Sequence, residues 1–369
     1  GVNYDTEEVI YLRAYDGTYT EVCSTAVSVI PAPADHIEIS AGGTQTITAG
    51  ACSAVVTLQT RDQYGNITTN QSGGTTVTLS TDSAGGGGTD FYTDVGCTAS
   101  AGGSVNIADL SSTTTIYYKD ELAGTPTLTV TVAGFTTQNS DNTGFTIDPD
   151  VADHIEFSAG LAQTVTAGVC SAIITAQTKD QFGNITTDNP GNTTVTLSSD
   201  STGTKDFYTD VGCTASAAGS IDILDTSSSE TFYYKDTKAA TPTLTTTVAA
   251  FTTQSSDNTI FTIDPDVSDH VTYATQPAAT GVAAADLSTQ PIVEVRDQYE
   301  NVVDISSDTI TLDAYTTADC STTAALGTLS GNTMAASSGV STFTGLDYTL
   351  AETIYLKATA GGMTAVCTG

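Results

Sequence analysis

The residues of this chain with the most definite chemistry are its seven cysteines. They show no Cys-x-x-Cys spacing of the kind that binds metal, so the chemistry that they predict is pairing into disulfides. Matching positions in the first two repeats predict the bridges Cys52–Cys97 and Cys170–Cys213, and the third repeat has Cys320 and Cys367 instead, which are predicted to pair with each other. Cys23 is left over and is expected to pair upstream of Gly1. One bridge per domain indicates an oxidising compartment, and buried free thiols are the alternative.

Two acidic stretches predict a cation site. Each places three carboxylates within six residues next to a proline, at Asp148, Asp150 and Asp153 and again at Asp264, Asp266 and Asp269. Ca²⁺ takes six to eight oxygen ligands, so calcium is the expected ion, and no other cofactor is predicted. The alternative is that proline stiffens these stretches without any ion. A second place for calcium is formed by the loop acids Asp90 and Asp94, with Asp206 and Asp210.

Histidine and asparagine provide two further sets of candidates. The three His each follow an Asp near a domain start, too far apart to share a metal, and we expect them to pack at domain junctions (His36, His154 and His270). Four Asn begin an N-glycosylation triplet, Asn66, Asn70, Asn184 and Asn192, although a Thr-rich β-protein also produces such triplets by chance. No nucleophile elbow, His-Glu-x-x-His or phosphate loop appears, so the sequence predicts that the chain is not an enzyme.

The charge balance excludes one class of partner. Nine basic residues stand against 42 acidic ones, a formal charge of −33. Nucleic acid binding needs clustered Lys and Arg, and anionic lipid is disfavoured for the same reason. No apolar stretch is long enough to insert in a membrane. Most of the basic residues recur at two repeat positions, which predicts local ion pairs: Arg61, Lys179 and Arg296, then Arg13, Lys119, Lys235 and Lys357.

Internal repetition gives the domain organisation. An Asp-His pair and an Asp-Gln-aromatic-x-Asn motif recur in three successive stretches, with a spacing of 116 to 118 residues. Tyr117-Tyr118-Lys119 is matched with Tyr233-Tyr234-Lys235 and with Tyr355-Leu356-Lys357. The first 23 residues match the tail of the third repeat with an offset of 344. The predicted segments are residues 1–33, the last strands of a preceding domain, and the domains 34–150, 151–266 and 267–369.

Period-two alternation predicts the fold class. In residues 54–61 small and apolar side chains alternate with polar ones, and similar runs of five to eight residues recur between Gly, Pro and Asn clusters. Seven or eight half-buried strands in each repeat predict two packed sheets. The expected architecture is therefore all-β, with tandem immunoglobulin-like β-sandwich domains in an extended rod.

These motifs carry a resemblance to a known family. The strand that ends in Arg61-Asp62-Gln63-Tyr64-Gly65-Asn66, followed by Thr-Val-Thr-Leu and Tyr-Tyr-Lys-Asp, resembles the bacterial Ig-like repeats of invasin- and intimin-type adhesins. The resemblance covers essentially the whole chain and implies an extracellular or cell-surface location. It implies a structural repeat of a stalk, fibre or surface layer, and the alternative is an adhesin module that binds a host, a neighbouring cell or a glycan. The expected partners are flanking repeats or other copies, and no ligand is identified.

The third repeat is expected to lack its closing strand, because the equivalent stretch near the start continues through residues 26–30. Two explanations are open. The polypeptide continues, or a neighbouring subunit supplies the strand by β-augmentation, which would make the chain a polymerising subunit.

Overall fold

All regular structure in the described part of the chain is β-strand, which confirms the all-β prediction. A computed structural model describes the chain except residues 70–72, 86–87, 136–140, 161, 188–190, 252–256, 259, 323–325 and 369. Thr, Val and Ile fill these strands because branched side chains pack well on a pleated surface. No helix suited to crossing a membrane occurs among the described residues.

The chain divides into two compact units. Unit 1 contains Gly1–Asp153 and Thr178–Pro190, and unit 2 contains His154–Gln177 and Gly191–Gly369. The four segment boundaries given above stay a prediction.

Unit 1 contains two short two-stranded sheets, β1-β4 and β2-β3, and a sandwich. Its strands are β1 (Val9–Ile10), β2 (Arg13–Ala14), β3 (Val22–Cys23), β4 (Val27–Ser28), β5 (His36–Ala41), β6 (Gln45–Thr48), β7 (Val56–Arg61), β8 (Thr75–Thr81), β9 (Asp90–Tyr92), β10 (Ser104–Ile107), β11 (Thr113–Lys119), β12 (Leu128–Thr131), β13 (Asp141–Asn142) and β14 (Phe145–Asp148).

The sandwich of unit 1 packs two four-stranded sheets around a single core. One sheet has the order β5-β7-β11-β9 and the other the order β10-β8-β12-β13. The alternating inward residues of both sheets form this core, among them Leu58, Tyr118 and Val130, which are fully buried. The last strand, β14, runs parallel to β6, with Ile147 beside Ile47. This arrangement confirms the sandwich that the period-two pattern predicts.

Unit 2 contains the other sheets. Its strands are β15 (His154–Ala159), β16 (Thr164–Thr166), β17 (Ile174–Lys179, of which residues 178–179 belong to unit 1), β18 (Thr193–Ser199), β19 (Lys205–Tyr208), β20 (Ser220–Ile223), β21 (Ser229–Asp236), β22 (Leu244–Thr247), β23 (Asp257–Asn258), β24 (Thr262–Asp264), β25 (His270–Thr275), β26 (Ile292–Arg296), β27 (Thr309–Tyr315), β28 (Leu329–Ser330), β29 (Thr333–Ala335), β30 (Val340–Thr342), β31 (Asp347–Tyr348), β32 (Tyr355–Thr359) and β33 (Val366–Cys367).

The first sheets of unit 2 repeat the topology of unit 1. Their orders are β15-β17-β21-β19, β20-β18-β22-β23 and β16-β24. A third set, β25-β26-β30, β29-β27-β32-β33 and β28-β31, surrounds its own core, in which Val295, Leu312 and Leu356 are buried. Here the counterpart of β11 is split into β30, which pairs with β26, and β31, which pairs with β28, so the third repeat is divergent, as its sequence predicts.

One sequence match is wrong. Tyr117-Tyr118-Lys119 lies on β11, whose first half pairs with β7, whereas Tyr355-Leu356-Lys357 lies on β32, which pairs with β27. The position of β32 in its sheet is that of β12, which pairs with β8. A three-residue match on alternating strands cannot distinguish neighbouring strands, because each has the same inward-outward pattern.

Candidate functional site

The repeated Asp-Gln-aromatic-x-Asn motif forms the same hydrogen-bonded hairpin in all three repeats, and we call each a clasp. The first clasp is centred on Asp62 and Asn66, the second on Asp180 and Asn184, and the third on Asp297 and Asn301. Every one of these Asp is fully buried. A buried carboxylate must be satisfied by hydrogen bonds, and here the turn itself supplies them.

The second clasp shows the geometry in full. Asp180 Oδ1 accepts the main-chain N–H of Phe182 at 2.9 Å and of Asn184 at 2.8 Å. Asp180 Oδ2 accepts the Asn184 side-chain amide at 2.8 Å and the N–H of linker residue Asp150 at 2.9 Å. The carboxylate thus fixes its own turn and the linker that precedes its repeat.

The Asn of the second clasp reaches the preceding repeat. Asn184 Nδ2 donates to the carbonyl of Glu121 at 2.8 Å, and Asn184 Oδ1 accepts the N–H of Ala123 at 2.9 Å. Gln181 Nε2 donates to the Asp150 carboxylate at 2.8 Å. The side chain of Asn184 therefore satisfies one main-chain donor and one main-chain acceptor of the preceding repeat.

The third clasp repeats this pattern within unit 2. Asn301 Nδ2 donates to Thr237 O at 2.8 Å, and Asn301 Oδ1 accepts from Ala239 N at 2.9 Å. Asp266 N donates to Asp297 Oδ2 at 2.9 Å. The first clasp is similar, with Asn66 bonded to Asp5 O at 2.7 Å and Glu7 N at 3.1 Å.

An aromatic ring and a glycine complete two of the clasps. Phe182 lies on Gly50 and packs against the core of the unit 1 sandwich, and Tyr299 lies on Gly168. A Cβ added to Gly50 would stand 2.4 Å from the Phe182 ring, so the contact requires glycine. Gly50 also has φ +78°, a conformation that glycine adopts without strain.

The clasp carboxylates have shifted acidities. Burial alone would raise the pKa of Asp62, but hydrogen bonds from the Asn66 side chain and from the N–H groups of Ala32, Asn66 and Tyr64 outweigh it and lower the pKa. The pKa of Asp297 is lowered against its burial in the same way, by Asn301, Asp266 and Tyr299. These two carboxylates are therefore held in the charged form that accepts most hydrogen bonds.

A second buried Asp supports the loop that each clasp contacts. Asp120, fully buried, accepts the Tyr118 hydroxyl at 2.7 Å, Thr89 Oγ1 at 2.7 Å and Leu122 N at 2.9 Å. Tyr234 donates in the same way to Asp236 at 2.7 Å. Burial raises the pKa of the Tyr118 hydroxyl well above its usual value, so it acts as a donor. Asp120 thus fixes the Glu121–Ala123 loop from beneath.

The structure contains all three predicted disulfides. Cα–Cα distances are 5.7 Å for Cys52–Cys97, 5.7 Å for Cys170–Cys213 and 6.0 Å for Cys320–Cys367. Among the described residues Cys23 is the cysteine outside these bridges, and it is exposed. Its expected upstream partner stays a prediction.

Several of the acidic residues predicted to bind calcium make other side-chain contacts in the structure. Asp150 and Asp266 accept clasp glutamines, and Asp269 lies 3.1 Å from His270. The loop acid Asp94 accepts N–H groups of Gly96, Thr98 and Ala99. No three His, Cys, Asp or Glu side chains gather to hold a metal ion in the part of the chain that is described. Calcium at Asp148, Asp150, Asp153, Asp264, Asp266 or Asp269 stays a prediction.

Two of the four predicted glycosylation positions belong to clasps. Asn184 is 7% exposed, and both hydrogens of its amide are used, by Glu121 O and Asp180 Oδ2. Asn66 is bonded similarly to Asp5 O and Asp62. Asn192 is exposed and accepts Asp225 N, and Asn70 lies outside the described residues. A glycan at Asn66 or Asn184 would replace a clasp hydrogen, and glycosylation itself stays a prediction.

Several predicted ion pairs are present. Arg61 pairs with Glu38 at 2.5 Å, Arg296 with Glu294 at 2.6 Å and Lys119 with Glu121 at 3.9 Å. Arg13 pairs with Glu21. Arg61 and Arg296 also donate to the carbonyls of Gly65 and Glu300 inside the clasp hairpins. The basic residue before the motif thus closes its turn.

Sequence reasoning missed the clasps. The motif served there as a repeat marker and Asn66 as a glycosylation candidate, but Asp and Asn four residues apart recur in every repeat. An acid and an amide repeated at a spacing of four residues are the available signal, because Asp and Asn side chains commonly bond to nearby backbone.

Comparison with known proteins gives matches among solved structures alone. No family model and no curated protein matches the chain. The Escherichia coli adhesin FdeC is 15% identical over 92% of this chain and 99% of its own, with a TM-score of 0.37. InvD of Yersinia pseudotuberculosis is 16% identical over 90% and 96%, with a TM-score of 0.33. Domains 4–9 of the surface layer protein SbsC are 16% identical over 91% of this chain and 47% of theirs, with a TM-score of 0.25. Structural similarity with identities and TM-scores this low assigns no ligand to this chain.

Proposed function

We propose that this chain is a structural repeat segment of an extracellular stalk, fibre or surface layer. The observation that carries the proposal is the clasp, which joins a repeat to the one before it through a side chain on main-chain atoms. The role is mechanical, and no catalysis is assigned to it.

The clasps support a load-transmitting role because they couple each linker to a folded core. Asp180 holds the N–H of linker residue Asp150, while Asn184 holds the Glu121–Ala123 loop. Pulling the two repeats apart would therefore break several hydrogen bonds to a buried carboxylate together with the Phe182–Gly50 contact. Hydrogen bonds to charged groups contribute about 1.5–3 kcal/mol each, more than neutral ones.

The disulfides support an extracellular location. Such bridges persist in oxidising surroundings and are rare where thiols are kept reduced. The net charge of −33 favours solubility and repulsion between neighbouring chains, as a surface-displayed spacer requires.

The test has two parts, made on cells that produce the protein. Immunogold electron microscopy should label extended material outside the cell. Alkylation of the harvested protein followed by mass spectrometry should find Cys52, Cys97, Cys170, Cys213, Cys320 and Cys367 oxidised. Intracellular labelling with alkylated, reduced cysteines would overturn the proposal. Saturable binding of the isolated chain to a host cell or a glycan surface would instead support the adhesin alternative.

A further inference from the structure

The first repeat carries a four-residue cluster on an outward sheet face, which we call a tyrosine quartet. Tyr117 of β11 is opposite Tyr92 of β9, and two residues further on Lys119 is opposite Asp90. Residues two apart on a strand point to the same side, so all four side chains share one face of the sheet. Tyr118, between Tyr117 and Lys119, is fully buried, and the quartet therefore lies on the face that is turned away from the core.

The second repeat forms its quartet on the corresponding strands, β21 and β19. Tyr233 is opposite Tyr208, and Lys235 is opposite Asp206. Tyr234, between Tyr233 and Lys235, is fully buried like its counterpart Tyr118. The arrangement of the first repeat thus recurs with the same residue type at all four positions.

The third repeat forms its quartet on different strands. Tyr355 of β32 is opposite Tyr315 of β27, and Lys357 is opposite Asp313. These strands take the places of β12 and β8, in the other sheet of the sandwich. Lys357 Nζ lies 5.6 Å from the centroid of the Tyr315 ring, so the ammonium group and the aromatic surface form one patch. The same four residue types therefore meet in the same register on two pairs of strands that do not correspond.

Stabilisation of the sheet explains only part of this recurrence. Aromatic cross-strand pairs contribute about 0.2–1 kcal/mol each, and they can do so at any outward position. Elsewhere on β11 the exposed positions are filled by Thr113 and Thr115. A Lys–Asp pair at a fixed offset from two tyrosines, repeated on strands that do not correspond, indicates a surface whose four groups act together.

The charges around a quartet restrict the ligand that it can take. The net charge of −33 repels an anion. Lys119 does not change this in the first repeat, because its Nζ lies 3.9 Å from Glu121 Oε1. A cation would compete for the rings with the ammonium group of the chain itself, which already occupies the Tyr315 ring in the third repeat. A neutral ligand avoids both conflicts.

The polar groups of a quartet suit a ligand that is rich in hydroxyl groups. An ammonium group only donates hydrogen bonds and a carboxylate only accepts them, so Lys119 and Asp90 together serve both functions of a hydroxyl. Asp90 already accepts Phe91 N at 2.7 Å and the Ser100 hydroxyl. These bonds fix the carboxylate and leave it acceptor capacity, since it has about four lone-pair sites.

The tyrosines supply an apolar surface and further donors. The face of an aromatic ring is electron-rich, and it attracts the slightly positive C–H groups that line a sugar ring. Burial, and then the nearby carboxylates of Asp90, Glu121 and Asp94, raise the pKa of Tyr92, so its hydroxyl stays protonated as a donor. All six quartet tyrosines are half-buried, which holds each ring against the sheet and leaves part of it open to solvent.

We propose that the tyrosine quartets bind neutral polysaccharide, with one stretch of sugar chain at each quartet. The inference goes beyond the proposed function, because it gives a load-bearing segment a ligand of its own. An open sheet face makes a shallow contact, so a single quartet binds weakly. Three quartets on one chain compensate for this, because each bound site raises the effective concentration of sugar at the others.

Affinity electrophoresis tests the proposal on the full chain. Native gels are cast with dextran, mannan or xyloglucan, three neutral polysaccharides that differ in sugar and linkage, and a fourth gel contains the anionic polygalacturonate. A chain that binds the polymer in the gel migrates more slowly than it does in a gel without polymer. We expect retardation in at least one neutral gel and none with polygalacturonate.

Substitutions in the quartets identify the binding surface. Tyr117→Thr, Tyr233→Thr and Tyr355→Thr remove one ring from each quartet and place in the strand a residue that strands favour. Each should raise the apparent Kd about three- to tenfold, and all three together at least about a hundredfold. Phe at the same three positions keeps the rings and should stay within about threefold of wild type. Tyr19→Thr is the matched control, because Tyr19 is 77% exposed and belongs to no quartet.

A second set of variants covers the case in which the triple Thr variant loses its fold, as circular dichroism would show. Lys119→Met, Lys235→Met and Lys357→Met together remove the ammonium donors and keep every tyrosine. This variant should raise the apparent Kd about tenfold. An unchanged or lower Kd would overturn the assignment of the quartets as the site.

The outcomes separate this inference from the proposed function. Retardation by a neutral polysaccharide that the Thr variant loses and the Phe variant keeps supports the inference, and it adds an adhesin role to the structural one. Migration unchanged in all three neutral gels, equal retardation of wild type and the folded Thr variant, or equal retardation by polygalacturonate overturns it. Extracellular labelling with oxidised cysteines would in each case leave the proposed function standing, and intracellular labelling would overturn that function without changing the result in the gel.

Discussion

The side chain of Asn184 donates from its amide nitrogen to Asp180 Oδ2 at 2.8 Å, and each of the two side chains also bonds main chain outside the turn. Asp180 takes the N–H of linker residue Asp150, and Asn184 takes the carbonyl of Glu121 and the N–H of Ala123. The pair converts a local turn into a junction between repeats, because each side chain also bonds main chain beyond the turn.

We expect Asn184→Ala to weaken this junction. It removes bonds to Glu121 O, Ala123 N and Asp180 Oδ2 and leaves buried main-chain groups unpaired, at a cost of about 2–4 kcal/mol. Differential scanning calorimetry and limited proteolysis near residues 148–153 measure the effect. The matched control is Asn192→Ala, an exposed Asn of the same triplet type that lies outside any clasp, and it should change stability by less than about 0.5 kcal/mol. Equal effects of the two substitutions would contradict the role of the clasp.

Acid should weaken the first and third clasps. The folded pKa values of Asp62 and Asp297 are depressed below their ordinary value of 3.8, so each contributes stability that is fully present above that pH. The contribution is lost as pH falls through the lower, folded pKa. Denaturant unfolding at a series of pH values from 7 to 2 should show a plateau at neutral pH and a decline below about pH 4.

Asp297→Asn isolates this titration from the general effect of charge. The substituted amide presents N–H groups to the N–H donors of Tyr299 and Asn301, so the variant should be less stable than wild type at pH 7 by about 2–3 kcal/mol. The difference should shrink as pH falls through the lowered folded pKa of Asp297, because the wild-type carboxyl then becomes protonated as well. A stability difference between the two proteins that is constant with pH would show that the ionisation of Asp297 does not contribute to the stability of the fold.

Each disulfide should stabilise its sandwich. Cys170→Ala with Cys213→Ala opens a loop of 43 residues, for which the chain-entropy estimate is about 4 kcal/mol. Thermal unfolding should show a separate transition moving to lower temperature. Cys23→Ser is the control, because Cys23 is exposed and outside the three bridges, and its melting curve should match that of wild type.

The hydroxyl of the buried Tyr118 should contribute more to the stability of the sandwich than the hydroxyl of its neighbour Tyr117. Tyr118→Phe removes the hydroxyl that donates to Asp120 at 2.7 Å, leaving a buried carboxylate with one donor fewer, at a cost of about 1–3 kcal/mol. Tyr117→Phe, on the half-exposed side of the same strand, should cost less than about 0.5 kcal/mol. Urea unfolding of both variants measures the contrast, and equal costs would show that the Tyr118 hydroxyl is energetically neutral.

The sequence by itself determined the fold class, the repetition and the disulfide pairing. These depend on period-two alternation, spacing and Cys position, which are properties of one chain read in order. The offset of 344 between the first residues and the tail of the third repeat was also readable, and the register of Arg13 with Cys23 and of Lys357 with Cys367 repeats it.

The tertiary structure alone decided which residues act together. Tyr355-Leu356-Lys357 was assigned to the wrong strand because alternation looks alike on neighbouring strands, and only the pairing of β32 with β27 corrects it. Asn66 and Asn184 match a glycosylation triplet in sequence, yet their amides bind main chain 61 and 63 residues away. A contact over that separation depends on how a complete repeat folds, because the main-chain groups of Glu121 and Ala123 are placed by a buried core and by Asp120, not by the local sequence around Asn184.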